Sequence, residues 1–340
     1  LELHDVDGLS TWSECVAGEY PNYSPETIDT AWMAIREWMA PRILGLEFGD
    51  PKLVHEELTR DFRGHNMAKA AVEMGSWALA ATKEDQSLAN LLGGTRKSIA
   101  TGISIGIQPD PSTLAAKARE ALESGYRKIK LKVKPGSDIE YVAAVREALG
   151  PKAPLMVDAN NAYTMDDFDR LAQLDAFDLI MIEQPLAWDD VVQHAKLQKQ
   201  LKTPICLDES ITCVERARDM IQLGSGRIIN IKPGRVGGFA QSIAIHDLCA
   251  QYGVPTWCGG MLESGIGRSY NVALASLPNF TLPGDVSPSA RYWERDVVTP
   301  EWTMDSSGMV SVPRDKPGLG VDVDVDRIDN LTVRSETIPS

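Results

Sequence analysis

The stretch Pro154-Leu155-Met156-Val157-Asp158 is a short apolar run that ends in a carboxylate, and this pattern recurs along the chain. Apolar runs of this length are typical of strands that are buried on both faces of a parallel sheet. Their last residues follow one another at intervals of about 25 residues, the length of one strand plus one returning helix. The other four runs are Ile129-Lys130-Leu131-Lys132, Leu179-Ile180-Met181-Ile182-Glu183, Pro204-Ile205-Cys206-Leu207-Asp208 and Arg227-Ile228-Ile229-Asn230-Ile231-Lys232.

The same interval extends beyond these five runs. Backward it reaches Ile107, at the end of the apolar run 100–107, and forward it reaches Cys258 and then Pro283. Eight strand ends are enough to close a parallel α/β barrel. Because such barrels place their chemistry at the carboxyl ends of the strands, the charged residues are predicted to meet at one mouth.

Composition limits the classes of function. The 340 residues carry a formal net charge of −14, which argues against nucleic-acid binding because phosphates need a basic surface. No apolar stretch approaches the roughly 20 residues that span a bilayer, so we expect no membrane segment. The five cysteines are odd in number and lack CxxC spacing, which argues against disulfides and structural zinc and favours a reducing cytoplasm.

The first hundred residues have a different pattern from the repeating part. An alternating strand near the N-terminus is followed by a predicted helix through Trp32 and Trp38 and by a second helix over about 66–81. The chain opens at Leu1, inside a predicted strand and without an initiator Met, so we expect that the sequence as given lacks its true N-terminus.

These differences predict three parts. An α+β capping domain covers 1–98, the barrel covers 99–294, and a C-terminal segment over 295–340 returns to the cap. The alternation at 321–326 has the Asp spacing of a calcium loop but has Arg327 in place of the glycine that such a loop requires. We therefore predict a solvated strand there that returns to the N-terminal domain.

Asp158, Glu183 and Asp208 are predicted to present oxygen ligands from three successive strands. Converging carboxylates repel one another, and a divalent cation removes this cost. Ligation by oxygen alone favours Mg²⁺, with Mn²⁺ as an alternative, over zinc. In the competing interpretation, each carboxylate caps the following helix independently.

Three lysines flank the predicted metal site. Lys130 and Lys132 alternate on one strand and should both point into the barrel, where two close ammonium groups would lower each other's pKa and make one a usable base. Lys232 enters from the sixth strand, across the barrel, so a substrate carbon between Lys132 and Lys232 would have a base on either face. Alternatively, the lysines only neutralise the carboxylates.

At this level of detail the sequence resembles the enolase superfamily, in its muconate-lactonizing-enzyme subgroup. The longer motifs around the last strands are most similar to the o-succinylbenzoate synthase / N-acylamino acid racemase family. We expect the first strand and the closing loop of that family to be missing from the N-terminus of the sequence as given. The motifs that carry the resemblance are Lys130-Leu131-Lys132, Asp158-Ala159-Asn160, Glu183-Gln184-Pro185, Asp208-Glu209-Ser210, Lys232-Pro233-Gly234-Arg235-Val236-Gly237-Gly238 and Trp257-Cys258-Gly259-Gly260-Met261-Leu262-Glu263-Ser264-Gly265-Ile266-Gly267-Arg268.

The resemblance implies an α/β fold, a (β/α)7β TIM-like barrel with an α+β capping domain built from both ends of the chain. It also implies that Mg²⁺ holds the carboxylate of a small-molecule substrate and stabilises the enediolate that forms when Lys132 removes the α-proton. In the synthase reaction a hydroxyl then leaves from the same face with help from protonated Lys132. Lys232 would stay cationic on the opposite face, whereas racemisation would require it to exchange protons itself.

Further residues are weaker candidates. Asn160 follows a ligand by two positions and is predicted either to bind substrate or to orient a loop. Arg235 would disfavour the protonated form of Lys232 if close to it, or would form a surface salt bridge. Four residues are predicted to line the pocket, with packing or turn exposure as the alternatives: Tyr23, Met261, Leu262 and Ile266.

The implied function is o-succinylbenzoate synthase, a lyase of menaquinone biosynthesis. The alternative is an N-acylamino acid racemase, alone or as a second activity of the same site, and the sequence does not separate the two. More remote alternatives are a dipeptide epimerase and a non-catalytic barrel. The sequence leaves the oligomeric state open, with a homo-oligomer among the options.

Overall fold

The computed structural model describes residues 1–339 and places a parallel barrel at the centre of the molecule. Seven parallel strands, β4 to β10, lie side by side in chain order, each hydrogen-bonded to the next. The strands are β1 Glu2–His4, β2 Ser10–Trp12, β3 Ser98–Ala100, β4 Ile103–Ile105, β5 Ile129–Lys132, β6 Leu155–Asp158, β7 Ile182–Glu183, β8 Ile205–Leu207, β9 Ile228–Ile231, β10 Thr256–Cys258, β11 Val298–Thr299, β12 Met309–Ser311 and β13 Asp322–Val323.

The segment 280–285 fills the gap between the first and last of these strands. It forms parallel bridges to β10, through Thr256 and Phe280, and to Thr101, two residues before β4, through Gly284. The sheet therefore closes on itself with an eighth chain segment, and the predicted barrel is confirmed. Below the charged mouth its interior is filled by apolar side chains: Met156, Met181, Cys206, Ile228 and Trp257.

The predicted first barrel strand is shorter than the apolar run 100–107. Ser98–Ala100 pairs antiparallel with β12, and only Ile103–Ile105 joins the barrel, so the strand does not reach Ile107. The chain changes sheets at Gly102, where an added Cβ would lie 2.7 Å from the side chain of Lys128. The interval of about 25 residues predicted a barrel strand in this region. It could not show that residues of the same apolar run would pair in two different sheets.

Helices connect successive barrel strands and build the cap. Short π-helical and 3-10 turns occur at Ile35–Met39, Met165–Asp167, Leu174–Phe177 and Ser289–Arg291. None of the helices within 1–339 is long and apolar enough to cross a membrane. The α-helices are α1 Ile28–Ala34, α2 Ala40–Ile43, α3 Lys52–Thr59, α4 Asn66–Lys83, α5 Leu88–Leu91, α6 Pro111–Glu123, α7 Ile139–Leu149, α8 Phe168–Gln173, α9 Val192–Gln198, α10 Val214–Leu223, α11 Pro233–Val236, α12 Phe239–Gln251, α13 Gly265–Ala275 and α14 Val325–Leu331.

The N-terminal part forms the predicted α+β arrangement of a hairpin and helices. β1 and β2 pair antiparallel, and α4 covers the predicted helix 66–81. Thr27 caps α1 through a capping box with Thr30, which satisfies backbone N–H groups at the start of the helix. A separate apolar cluster holds these helices together: Ala17, Ala31, Ala34, Met39, Val54, Leu58, Met67, Ala68 and Val72.

Two carboxylates, those of buried Glu73 and half-buried Glu14, attach the N-terminal part to the barrel. Glu73 accepts hydrogen bonds from the backbone N–H groups of Phe239 (2.7 Å) and Ala240 (2.8 Å), at the start of α12. Glu14 accepts in the same way from Gly267 (2.9 Å), in the first turn of α13. Anions are stabilised at helix N-termini, and barrel helices begin beside the mouth. These contacts therefore hold the cap next to the strand ends.

The C-terminal segment differs from its prediction. Asp322–Val323 pairs with Val298–Thr299 of the same segment, and Val325–Leu331 is a helix, so the predicted strand to the N-terminal domain is wrong. The end of the chain does reach the cap, where the guanidinium of Arg334 lies 4.1 Å from the ring of Trp32. The alternation of Val and Asp gave strand periodicity but no information about the strand's partner. The three domain boundaries stay predictions.

Candidate active site at the barrel mouth

Three carboxylates stand at the ends of neighbouring barrel strands. Asp158 and Glu183 are the last residues of β6 and β7 and are partners in the parallel register, and Asp208 directly follows β8. All three side chains are buried, with relative exposures of 1% or less. Register places Asp158 beside Glu183, and Asp208 lies two residues beyond Cys206, the register partner of Glu183. All three carboxylates therefore lie at the carboxyl ends of neighbouring strands, as the sequence period predicted.

Lys130 and Lys132 reach the same carboxylates from β5. The Nζ of Lys130 lies 3.2 Å from Glu183 Oε2 and 3.5 Å from Asp158 Oδ2. The Nζ of Lys132 lies 2.7 Å from Asp158 Oδ2, and its side chain is 30% exposed toward the mouth. Both lysines thus point inward as their alternation on the strand predicted, and Lys132 is the more accessible of the two.

Lys232 approaches from the other side of the site. Its Nζ lies 2.8 Å from Asp208 Oδ2, while Arg235 contacts the other oxygen of the same carboxylate. Tyr23, on a cap loop, donates a hydrogen bond of 2.9 Å to Asp208 Oδ1, and its ring centre lies 4.4 Å from the Lys232 ammonium. The structure therefore brings Tyr23 into the site, and the surface salt bridge considered for Arg235 is wrong because Arg235 is buried.

The expectation that Lys130 and Lys132 lower each other's pKa is wrong for Lys130. Burial alone lowers the pKa of Lys130, but the carboxylates of Asp285, Glu183 and Asp158 raise it well above its usual range. Lys130 is therefore not a base created by a neighbouring ammonium group. Burial also lowers the pKa of Lys232, but neighbouring groups, the carboxylate of Asp208 first among them, raise it above its usual range. For both lysines the nearby carboxylates outweigh the like charge, as the alternative interpretation of charge neutralisation implied. The effect of Arg235 on Lys232 stays a prediction.

The donor set fits a divalent cation. Burial, followed by the negative charge of Asp158, raises the pKa of Glu183 to about 8, so keeping this carboxylate ionised beside the others is unfavourable. A cation bound to Asp158, Glu183 and Asp208 would remove that penalty. Within residues 1–339, no three His, Cys, Asp or Glu side chains are arranged so that they could bind one metal ion. The oxygens of Asp158 and Asp208 instead contact lysine ammonium groups.

The other predicted pocket residues lie in different environments. Asn160 accepts from the Lys132 ammonium through Oδ1 and is exposed at the mouth. Met261 is half-buried against the cap cluster, which places it between barrel and cap. Leu262 is 75% exposed, and Ile266 is buried in the main core at the start of α13. Packing is therefore the observed setting of Ile266, and a substrate contact of Leu262 stays a prediction.

The sequence matches two families that together cover most of the chain. Residues 1–93 match the mandelate racemase / muconate lactonizing enzyme N-terminal domain, and residues 113–327 match the enolase C-terminal domain-like family. An o-succinylbenzoate synthase from Geobacillus kaustophilus is 49% identical over 98% of this chain and 88% of its own length. An N-succinylamino acid racemase from Thermus thermophilus is 45% identical over 96% of this chain and 88% of its own length.

The chain belongs to the o-succinylbenzoate synthase / N-acylamino acid racemase family of the enolase superfamily. A solved member of the superfamily from Listeria innocua superposes with a TM-score of 0.93 at 41% identity, covering 97% of this chain and 88% of that one. The resemblance found in the motifs and the barrel-plus-cap fold class are confirmed. Both enzyme names occur among relatives of similar identity, so family membership alone does not choose between them.

In this member of the family, sequence reasoning missed the charged pair Lys128 and Asp285. Asp285 ends the eighth chain segment and contacts Lys130, and its Oδ1 lies 3.2 Å from the fully buried Nζ of Lys128. The ammonium of Lys128 also lies 3.3 Å from the ring centre of Trp257. The signal was present, because the interval placed the eighth strand end at Pro283, two residues before Asp285.

Sequence reasoning also left Glu209 and Asn230 without a role, although both lie inside quoted motifs. Asn230 donates a hydrogen bond of 2.7 Å to Glu183 Oε1 from β9. Glu209 is buried beside Asp208, and burial, with the charge of Asp208, raises its pKa to about 7. The alternation of side chains along a strand predicts the position of Asn230. It precedes Lys232 by two residues and therefore faces the same barrel interior.

We expect Asp285→Asn to destabilise the fold. Removing this charge leaves Lys128 and Lys130 without their shared counter-ion in the interior, which costs about 3–5 kcal/mol of unfolding free energy. Adding Lys128→Met should recover part of the loss because one buried charge is removed. Urea unfolding followed by tryptophan fluorescence measures both, with Asp329→Asn on the exposed side of α14 as the control. An unchanged midpoint in Asp285→Asn would contradict the assignment.

Proposed function

We propose that this protein is an o-succinylbenzoate synthase, which dehydrates 2-succinyl-6-hydroxy-2,4-cyclohexadiene-1-carboxylate to 2-succinylbenzoate, a step of menaquinone synthesis. One observation carries the proposal. Lys132 and Lys232 hold different carboxylates of a buried three-carboxylate site at the mouth of a barrel whose family includes this activity. Reaction at a carbon next to a carboxylate needs both a proton acceptor and stabilisation of the charge that develops.

Asp158, Glu183 and Asp208 would hold Mg²⁺, or Mn²⁺ in its place. When bound, this ion would bind the substrate carboxylate and stabilise the negative charge that develops on its oxygens. Asn230 donates to Glu183 Oε1, and Tyr23 donates to Asp208 Oδ1. These hydrogen bonds fix the two carboxylates in position, as partners of ligating carboxylates commonly do.

Lys132 would be the general base. Its ammonium lies at the edge of the site, anchored by Asp158 and Asn160, with part of the side chain open to the mouth. As a neutral amine it would accept the α-proton of the substrate, and as an ammonium it would return that proton to the departing hydroxyl. The proton and the hydroxyl leave from the same face, so this one group can serve as both base and acid. Loss of water makes the ring aromatic.

Lys232 would stabilise the opposite face. Burial lowers the pKa of Lys232, but neighbouring groups, Asp208 first among them, together raise it above its usual range, so at neutral pH it carries a positive charge. A buried cation suits electrostatic support of the anionic intermediate. Lys232 is buried beside Asp208 whereas Lys132 is partly open to the mouth, and this difference in setting favours the synthase over the racemase as the main activity.

Racemisation of N-succinylamino acids is the second candidate, because Lys232 is positioned across the site from Lys132 and would supply the second base that inversion needs. The two functions separate in parallel assays of the purified protein with Mg²⁺, one with the cyclohexadiene substrate and one with each enantiomer of an N-succinylamino acid. We expect a higher kcat/KM for dehydration. Inversion without dehydration would replace the proposed function with the racemase.

We expect Lys232→Ala to divide the two activities. Dehydration should fall about 10²- to 10³-fold, the usual effect of losing one charge-stabilising group. Racemisation should be undetectable, although Lys132 would still exchange the α-proton of one enantiomer with deuterated solvent. Proton NMR in deuterated water measures exchange and inversion together. Inversion by Lys232→Ala at the wild-type rate would show that the second base lies elsewhere.

We place this activity in the cytoplasm as part of the proposal. Support comes from the cysteines, all five of which are free in the structure, three of them buried. Burial raises the pKa of Cys206 and Cys258, so neither is a reactive thiolate. Their role is packing of the barrel.

A further inference from the structure

Glu209 has a place in the site that the proposed reaction does not use. Its side chain is buried next to Asp208, and Oε1 accepts hydrogen bonds from the side-chain amides of Asn160 and Asn161, each at 3.1 Å. The other oxygen, Oε2, is buried without a hydrogen-bond partner. A buried carboxyl group beside another carboxylate is unfavourable, so its presence needs a compensating role.

Asn160 connects Glu209 to Lys132. Its Nδ2 donates to Glu209, which leaves Oδ1 to accept from the Lys132 ammonium. An amide group has distinct donor and acceptor ends, and a carboxylate oxygen only accepts. Glu209 therefore selects the orientation of Asn160 in which the acceptor end faces Lys132. The reversed amide would point its N–H groups at an ammonium group.

The backbone explains why this orientation needs support. Asn160 and Asn161 have φ values of +41° and +67°, in the left-handed region, which asparagine tolerates better than most residues but usually adopts singly rather than at two consecutive positions. Two consecutive residues in that region turn the chain directly after the ligand Asp158. Glu209 holds both side chains with one oxygen, so it also holds this turn in place.

We infer that Glu209 is a positioning residue for Lys132 that acts through Asn160. The inference deepens the proposed function and rests on its assignment of Lys132 as the base. Glu209 touches no reacting atom. It fixes the amide that anchors the base, so its loss should slow the chemical step more than it weakens substrate binding, as expected when a base is misplaced.

A double-mutant cycle with Asn160 tests this inference. Glu209→Met removes the acceptor at similar size and should lower kcat for dehydration about 10- to 100-fold with little change in KM. In an Asn160→Ala background the same substitution should have little further effect on kcat, because the connection is already broken. A purely structural role would instead give equal losses in both backgrounds, which would overturn the inference.

Glu209→Gln keeps the cycle informative if the methionine variant does not fold. Glutamine retains one acceptor oxygen but can also present its amide to Asn160, so the kcat loss should be smaller and should again vanish in the Asn160→Ala background. An equal loss in that background overturns the inference. If Lys132→Ala remains active, the assignment of the base fails and the inference with it. If only the Glu209 variants match wild type, the inference alone fails.

Discussion

Lys132→Ala should lower kcat for dehydration by about 10⁴-fold. This is the upper end of what general acid–base groups contribute, and it applies because one amine serves here as both base and acid. Racemisation should be lost for both enantiomers because inversion needs a group on each face. Exchange of the α-proton with deuterated solvent should be lost for the enantiomer whose proton faces this lysine. The measurements are steady-state dehydration and proton NMR in deuterated water.

Lys134→Ala is the matched control. Lys134 follows Lys132 by two residues, the spacing of side chains on one face of a strand. It lies beyond the end of β5, however, and is exposed. We expect wild-type kcat and KM from this variant. Retention of more than a few per cent of activity by Lys132→Ala would remove this lysine as the base and leave Lys232 as the remaining candidate.

Removal of divalent metal should bring activity below detection, and Mg²⁺ or Mn²⁺ should restore it. The three carboxylates need a cation to offset their repulsion, as the raised pKa of Glu183 indicates. Glu183→Gln should weaken Mn²⁺ binding by more than about 100-fold, since a direct ligand contributes more than the outer partners of a metal site. Calorimetric titration of chelator-treated protein with Mn²⁺ measures this without reference to activity.

Glu120→Gln, on an exposed position of α6, is the control for that titration. It removes one negative charge of the chain far from the strand ends and should leave Mn²⁺ affinity unchanged. Full activity in the chelated wild type would contradict the metal assignment, and so would equal Mn²⁺ affinity in Glu183→Gln and wild type.

The parts of the site that the sequence predicted are those governed by the strand period. Asp158, Glu183 and Asp208 lie at the ends of consecutive strands, and parallel pairing brings these strand ends to the same side of the barrel. Lys130, Lys132 and Lys232 follow from the alternation of side chains on their own strands. These positions depend on local geometry that repeats along the chain, so no knowledge of distant contacts was needed.

The parts that could not be predicted depend on partners distant in sequence. The pKa of Lys130 is set largely by Asp285, more than 150 residues away, and an argument from two adjacent lysines gave the opposite direction. Asp322–Val323 pairs with Val298–Thr299, and nothing in its alternation names that partner. The orientation of Asn160 likewise depends on its hydrogen bond to Glu209. Glu209 lies in the motif Asp208-Glu209-Ser210, but the alternation of side chains on a strand does not indicate that it contacts Asn160.

The decisive measurement is a crystal structure of the protein with Mg²⁺ and 2-succinylbenzoate. We expect the metal to be bound by Asp158, Glu183 and Asp208, with the ring carboxylate of the product on that metal. We also expect the Nζ atoms of Lys132 and Lys232 to lie on opposite faces of the ring. A product carboxylate bound away from these three acids, or both ammonium groups on one face of the ring, would contradict this expectation.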